Sequence, residues 1–433
     1  MNDAPFSATK YLLHNASVPT ACLSESLASK DDLSQVDILI EGNNIKQVAA
    51  RITPGADTEV VDLGNSMVWP CFIDIHSHLD KGHIWPRTPN PDGSFDGALQ
   101  ASGQDREAHW SADDLRARIN FSIQCAYHHG TQLIRSHLDS SPPQHQISWP
   151  LFRELREEWR GKVALQASSI LAVDRILEDG FFRDLCQHIT AASGVLGVVA
   201  FPSPDIDIAL DRIFDAAIKY DLDLDFHVDE TGDATIRCLR NIAEAALRNS
   251  FQGQIVCGHC CSIAKQEADD ASHTLDLVAK AGIAVVSLPM CNMYLQDRLA
   301  DRTPRWRGVT LVHEMQARNI AVAVASDNTR DPFYAYGDMD MIEVYREATR
   351  ILHLDHPVGY WPAAVTKSPA EIAGRPDLGL IGPGRGADIV ICKGRTWTEL
   401  LSRPQADRVV IRNGDKISTK LPDYRELDHI VRR

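Results

Sequence analysis

At 433 residues the chain exceeds one ordinary small domain and suits one large barrel with an appendage, or two to three domains. Hydrophobic residues make up 44% and charged ones 24%, the balance of a soluble globular protein with a large core. A formal net charge of −15 argues against a nucleic-acid backbone or an anionic membrane as the main partner. No apolar stretch reaches membrane-spanning length, and Met1 to Lys10 lacks the basic-then-apolar order of a secretory signal. The ten cysteines are scattered, many in apolar runs, as expected of free thiols in a reducing cytoplasm.

Residues 1–66 carry short strand-like pieces, Tyr11 to Val18, Val36 to Ile40 and Ile45 to Val48, the last two separated by the turn Gly42-Asn43-Asn44. This stretch reads as half of a small β-domain. From Met67 the texture changes to apolar strands alternating with helical patterns. Eight strands are expected, at Met67–His78, Thr131–Asp139, Val163–Leu171, Gly194–Pro202, Leu222–Glu230, Gln254–Ser262, Ile283–Cys291 and Ile320–Asn328. After a longer first gap their starts recur at roughly thirty residues, the length of a β-α unit. The helices expected between them include Asp113–His128, Ile206–Tyr220, Ala234–Asn249 and Leu275–Ala281. Eight such units close into a (β/α)8 TIM barrel. A doubly wound open sheet is the competing arrangement, but it normally carries a phosphate or dinucleotide loop after its first strand, where this chain is His-rich. From Ile381 the helical texture stops. Gly382 to Asp388 reads as a turn feeding the strand Ile389–Cys392, and Val409–Asn413 is a second strand. The expected division is therefore 1–66 and 376–433 forming one small β-sandwich from both termini, around a catalytic α/β barrel at 67–375.

In such a barrel the site lies at the C-terminal ends of the strands. His76 and His78 share one face of the first strand, because side chains two apart on a strand point the same way. The second strand ends in His137-Leu138-Asp139, the fifth in His227-Val228-Asp229-Glu230, the sixth in Gly258-His259 and the eighth in Ser326-Asp327-Asn328. Packing alone explains any one of these endings, but not their recurrence. His76, His78, His227 and Asp327 form a ligand set that suits one divalent ion, Zn2+ or Fe2+, with water completing the shell. The metal lowers the pKa of that water. His259 is then a hydrogen-bond partner of the hydroxide. Glu230 can carry protons beside the metal without binding it. On the fifth strand Asp225 shares the parity of His227 and should point into the barrel, either to support the site or to pair with a buried Lys or Arg.

Competing motifs fail. Cys257-Gly258-His259-Cys260 has no second C-x-x-C to close a structural zinc site, and His313-Glu314 lacks the second His of H-E-x-x-H. The small zinc deaminase pattern and the Gly-x-Ser-x-Gly elbow are both missing. The fourth strand ends Val199 to Ser203 with no Lys to bridge two metals, which favours one ion.

His76-Ser77-His78-Leu79-Asp80, His227-Val228-Asp229-Glu230, Pro289 to Gln296 and Asp331-Pro332-Phe333 together resemble the amidohydrolase superfamily, in its cytosine deaminase and N-isopropylammelide amidohydrolase branch. The resemblance covers nearly the whole chain. It implies that Glu230 protonates a ring nitrogen, that His259 and Asp327 orient hydroxide, and that Asp327 passes its proton to departing ammonia. Two departures bear on the substrate. Cytosine deaminases hold the pyrimidine with a Gln at the end of strand three; by sequence Ala167 takes that place, with Gln166 one residue earlier and expected to face the helices. Asp327 is followed by Asn328, where those enzymes have a second aspartate. Ala167, Ser168, Asn328, Trp85 and Phe333 are the candidate substrate contacts. The expected activity is hydrolytic deamination of an amino-substituted nitrogen heterocycle in the cytoplasm, with cytosine a poor substrate. Hydrolysis of an N-alkylamino triazine or a cyclic amide, deamination of a pterin, and a non-catalytic metal-binding barrel are the alternatives. The partner expected is a small heterocycle, with neither nucleic acid nor membrane; homo-oligomerisation is left open.

Overall fold

A computed structural model describes residues 9–432. The strands in chain order are β1 (Lys10–Pro19), β2 (Leu33–Glu41), β3 (Asn44–Ala49), β4 (Glu59–Asp62), β5 (Met67–Pro70), β6 (Phe72–Ser77), β7 (Thr131–Asp139), β8 (Ala164–Ile170), β9 (Leu196–Ala200), β10 (Leu224–Val228), β11 (Ile255–His259), β12 (Ala284–Ser287), β13 (Val322–Val324), β14 (Ile389–Cys392), β15 (Val409–Arg412) and β16 (Asp415–Lys416). The chain divides into two compact units. Among the described residues, one comprises 9–74, 124–133 and 340–421; the other 75–123, 134–339 and 422–432.

The first unit is built on one sheet in the order β16-β15-β14-β5-β1-β2-β3, with β4 beside β1. β2 and β3 form a hairpin closed by Gly42 and Asn43, and Gly42 takes φ +59°, a conformation that costs glycine nothing. β14 runs antiparallel to β5, Ile389 opposite Pro70, so the tail does complete the N-terminal sheet. Trp69, fully buried, packs edge-on against Tyr345 and Trp397 at ring separations of 5.4 and 6.0 Å.

The apolar run expected as one strand from Met67 is two. Pro70 has no N–H to continue the ladder, and the hydrogen bonds then change partner: Cys71 N donates to Asp388 O and Phe72 N to Gly130 O, each 2.9 Å. The tail is also less purely β than expected. Thr396 caps a helix at Trp397–Ser402, and Asp428–Val431 forms a last helical turn.

The second unit carries the parallel strands. β13-β12-β11-β10-β9 form one sheet and β6-β7-β8 another. Isolated parallel bridges join Ser168 to Val195 and Ala172 to Val199 between β8 and β9, and Ser77 to Asp327 between the ends of β6 and β13. Strands β10, β11 and β12 are buried along their whole length, which is why they read as continuous apolar runs rather than alternating ones. The helix Ile206–Tyr220 lies within its expected bounds, burying Ala209, Leu210, Ile213, Phe214 and Ala217 along one stripe. The helix expected at Ala234–Asn249 starts later, at Cys238, because Asp233 folds back on Thr235 in a side-chain turn and the Asp229 carboxylate accepts from Cys238 N and Leu239 N. The seventh strand stops at Ser287, since Pro289 opens the helix Pro289–Leu295 at its first turn. Among the described residues no helix is long and apolar enough to cross a membrane.

Candidate metal and catalytic site

Every side chain of the site belongs to the second unit, and the proposed ligands stand at or just past strand ends. Three of the turns off these strands use non-glycine residues at positive φ: Asp229 at 54°, His259 at 70° and Asp327 at 64°. Such strain persists where the surroundings over-determine it, and Asp and His tolerate it better than bulkier residues. Gly258 makes room for the cluster, because a Cβ there would stand 2.7 Å from Cε1 of His76. Asp327 N donates to His76 O at 2.9 Å, bringing the ends of β6 and β13 together at the ligands.

His76, His78, His227 and Asp327 converge. His78 Nε2 lies 3.2 Å from Asp327 Oδ1 and 3.2 Å from His227 Nε2, and His76 Nε2 lies 3.5 Å from the same Asp327 oxygen. A tetrahedral ion with bonds of about 2.0–2.1 Å holds its ligand atoms about 3.3 Å apart. Both His76 nitrogens and both Asp327 oxygens are buried without a hydrogen-bond partner, a cost that a bound cation removes. Burial pushes the His78 and His227 imidazoles well below their usual range, leaving them neutral, as metal ligation requires. The donor set therefore fits a divalent metal.

The two carboxyl groups beside the cluster are driven apart. Burial, then the nearby Asp327 charge, raises Glu230 well above the usual carboxylate range. Burial would raise Asp327 too, but the His76 and His78 contacts outweigh it and hold Asp327 well below its usual value. One protonated and one ionised carboxyl in one site is the pattern of a divided acid–base pair. Glu230 Oε1 accepts from Asn292 Nδ2 at 3.1 Å and lies 3.4 Å from His259 Nδ1. Asn292 Nδ2 also donates to His259 Nδ1 at 2.9 Å, which leaves Nε2 to carry the His259 proton.

Three residues here have no role assigned from sequence. Asn292 lies in the Pro289 to Gln296 stretch that carries the family resemblance, and its helix supplies the position. Lys81 is buried with Nζ 3.2 Å from His78 Nδ1, and no spacing rule points to it. His137 is fully buried, its ring 4.0 Å from that of His76 and 4.6 Å from that of His227, while Nε2 faces Asp225 Oδ1 at 3.2 Å. Its strand-end position was the available signal. Asp225 also lies 3.3 Å from Arg135 Nη1, the buried carboxylate–Arg pairing that one of its two sequence readings expects.

The strand-three expectation is corrected. Ala167 lies mid-strand in β8, not at its end, and Gln166 faces inward, its Oε1 accepting from Arg135 Nη2 at 3.0 Å. Parity then turns Ala167 away from the interior. The strand ends instead at Ile170, followed by Leu171 and Ala172, and none of the three carries an amide. Ser168 Oγ turns back on Ser169 O at 3.2 Å. Asn328 is tied to Asp331 at 2.7 Å, and Phe333 packs with Cys291 and Leu295 in a buried cluster that Phe95, Tyr294 and Tyr334 flank. Trp85 is half-buried, its backbone N–H donating to Arg330 O at 2.9 Å.

The chain matches the Amidohydrolase family over residues 175–423. It is 53% identical over 429 residues, 99% of this chain and 98% of the relative, to a pterin deaminase of Rhizobium rhizogenes. It is 24% identical to an N-isopropylammelide isopropyl amidohydrolase of a Pseudomonas species, over 90% of this chain and 94% of that one. In three dimensions it superimposes on 5-methylcytosine deaminase of Klebsiella pneumoniae, crystallised with 5-fluorocytosine, with a TM-score of 0.81 at 22% identity, over 96% of this chain and 98% of that one. That likeness is one of fold, a TIM-barrel-like α/β architecture. With more than half of its length in the family match and a relative aligned along nearly all of it, this chain belongs to the amidohydrolase family.

Proposed function

We propose that this metal-dependent hydrolase removes the exocyclic amino group of a pterin, exchanging it for oxygen from water and releasing ammonia. The observation that carries the reading is the buried, proton-holding Glu230 beside a neutral-histidine cluster, in a chain 53% identical to a pterin deaminase over 99% of its length. A non-catalytic metal-binding barrel has no use for such an acid. The end of β8 supports a pterin over cytosine, because no amide side chain stands there to read a pyrimidine edge.

His76, His78, His227 and Asp327 would hold one ion, zinc or iron(II), which when bound supplies a nucleophile at neutral pH by lowering the pKa of water. Glu230 gives its proton to the ring nitrogen beside the carbon under attack. His259 Nε2, with its proton fixed there by Asn292, donates a hydrogen bond to the attacking oxygen. Asp327, ionised, would accept the proton of the attacking oxygen and pass it to the amino group, which departs as ammonia. Asn328 and Phe333 stand beside Asp327 and Cys291 as the substrate-side wall, with Trp85 in the loop after β6.

The eight strands β6 to β13 form a closed (β/α)8 barrel in this reading, supported by the bridges that join β8 to β9 and β6 to β13. The terminal β-domain is a sandwich whose layers share β1, which pairs β4 along its first half and β5 near its end. Sheet membership supports the split of the strands between a terminal β-domain and a barrel, with β5 moving the first boundary to about Cys71; the compact units move the second boundary from 375 to about 339 and place 422–432 with the barrel. Ten buried free thiols support a cytoplasmic enzyme. Ammonia release from pterin and from cytosine tests the function. The expected kcat/KM for pterin is about 10⁴ M⁻¹s⁻¹ or above, with cytosine about 100-fold or more below it. Efficient turnover of cytosine with none of pterin overturns the assignment.

A further inference from the structure

Away from the residues above, a second group of ligating side chains lies between two helices of the second unit. His145 opens the helix His145–Glu158. Asp184 and His188 stand one turn apart on the helix Asp179–Ala191, a spacing that puts both on one face. His145 Nε2 lies 2.9 Å from Asp184 Oδ2. His188 Nδ1 lies 3.8 Å from Asp184 Oδ1 and 3.0 Å from the Asp184 carbonyl oxygen. One ligand atom from each of the three residues lies within 4.8 Å of the others. The His145 ring is 3% exposed, covered by Phe181 at 5.2 Å, and its Nδ1 is buried without a hydrogen-bond partner.

A simple ion pair between helices needs one imidazole and one carboxylate. Here a second imidazole stands beside a carboxylate that His145 Nε2 already pairs, and because His188 Nδ1 donates to the Asp184 carbonyl, its Nε2 is the ring nitrogen left to ligate. We propose that His145, Asp184 and His188 form a second metal site, which takes one zinc ion with water as the remaining ligand. Two imidazole nitrogens and a carboxylate oxygen are donors that zinc accepts, and a three-residue set with an open position is a recognised zinc arrangement. Zinc bonds of about 2.0–2.1 Å hold ligand atoms about 3.3 Å apart, a spacing within the 4.8 Å that encloses one ligand atom from each of these residues. The site differs from the buried histidine cluster in access: Asp184 is 41% exposed and His188 27%. Its ion therefore exchanges with solvent, and it ties together the helices that follow β7 and β8.

The experiment uses the purified holoenzyme, dialysed until only the resident ion remains. Zinc chloride is then titrated by equilibrium dialysis with elemental analysis. The expected result is one further zinc per chain, with a thermal midpoint that rises as it binds. His188→Ala and Asp184→Asn should each weaken this zinc by about 10-fold or more and abolish the rise, while leaving turnover and the resident ion unchanged. Failure of the wild-type chain to take up a further saturable zinc overturns the proposal. So does an extra zinc that persists undiminished in His188→Ala and in the His145→Gln/His188→Ala double variant.

Discussion

Replacing Glu230 by Gln separates proton transfer from everything else the side chain does. The amide keeps the volume, and its oxygen can still accept from Asn292 Nδ2, now 3.1 Å from Glu230 Oε1. Glu230 belongs to neither group of possible ligands around His76, so metal content and fold should survive. What is lost is an acid whose pKa burial and the Asp327 charge have raised. Losing a positioned general acid–base costs about 10²- to 10⁴-fold in turnover, or about 3–5 kcal/mol of barrier at 1.36 kcal/mol per decade. Asn292→Ala gives the scale of the supporting contacts. It removes two hydrogen bonds, to Glu230 and to His259, worth roughly 1 kcal/mol each, so a loss of about 10- to 100-fold is expected. The two effects should not add, because Asn292 acts partly through Glu230; a coupling of about 0.5–3 kcal/mol is expected in the double variant. Steady-state ammonia release, with metal analysis of each variant, is the assay. In the wild type, activity should fall as pH rises past the elevated pKa of Glu230, since the protonated form is the working one. A Glu230→Gln enzyme with undiminished turnover refutes the reasoning, and one that loses its metal makes Glu230 a ligand instead.

One ion that resists dialysis is expected per chain, and His76→Ala or His227→Ala should lose nearly all of it; an active metal-free protein, or two dialysis-resistant ions, contradicts the ligand set. Arg118 is fully buried and donates to Asp114 at 2.6 and 2.9 Å, to Gly82 O at 3.0 Å and to Asp80 O, while Asp114 also binds Arg87. Arg118→Ala leaves these acceptors short of a donor and should cost about 3–5 kcal/mol in urea unfolding, whereas a loss below about 1 kcal/mol would mean that water takes over the bonds. Burial raises Asp331 to about 7 from 3.8. A raised carboxyl contributes stability that is complete below its unfolded value near 3.8 and is lost as pH climbs through the folded value near 7, by up to about 4 kcal/mol. Asp331→Asn cannot ionise and should flatten that decline; identical urea midpoints for both proteins from pH 4 to 8 would show that Asp331 titrates normally.

The parallel strands were legible because burial on both faces leaves a continuous apolar run that stops at a polar end. The same rule picked out His76, His78, His227 and Asp327, between which the structure shows separations of 3.5 Å (His76 to Asp327), 3.2 Å (His78 to Asp327) and 3.2 Å (His78 to His227). Parity served well on β10, where Asp225 and His227 alternate with Leu224 and Phe226. It failed on β8, because counting parity needs a known strand end, and Ala164–Ile170 has no charged residue to mark one. Contacts made across helices were beyond reach. Nothing local announces that Asn292, on the helix after β12, would hold both Glu230 and His259, or that Lys81 would turn back onto His78. The division of Met67 to Ser77 into two strands needed knowledge of partners, since β5 is bonded to β14, more than three hundred residues downstream.

The hydrogen bond from Asp327 N to His76 O has a consequence for biosynthesis. About 250 residues separate the two. A ribosome adding about 5–20 residues per second delivers His76 and His78 roughly 10–50 s before the carboxylate that completes their cluster. Until then the histidines belong to a chain whose last parallel strand does not exist, and any ion they meet is held by imidazoles alone. On this ligand set, full metal retention is expected only once β13 has emerged, rather than with the first ligands to appear. Stalled nascent chains that end before Asp327 should release zinc to a mild chelator, while chains that extend through the tail should keep it.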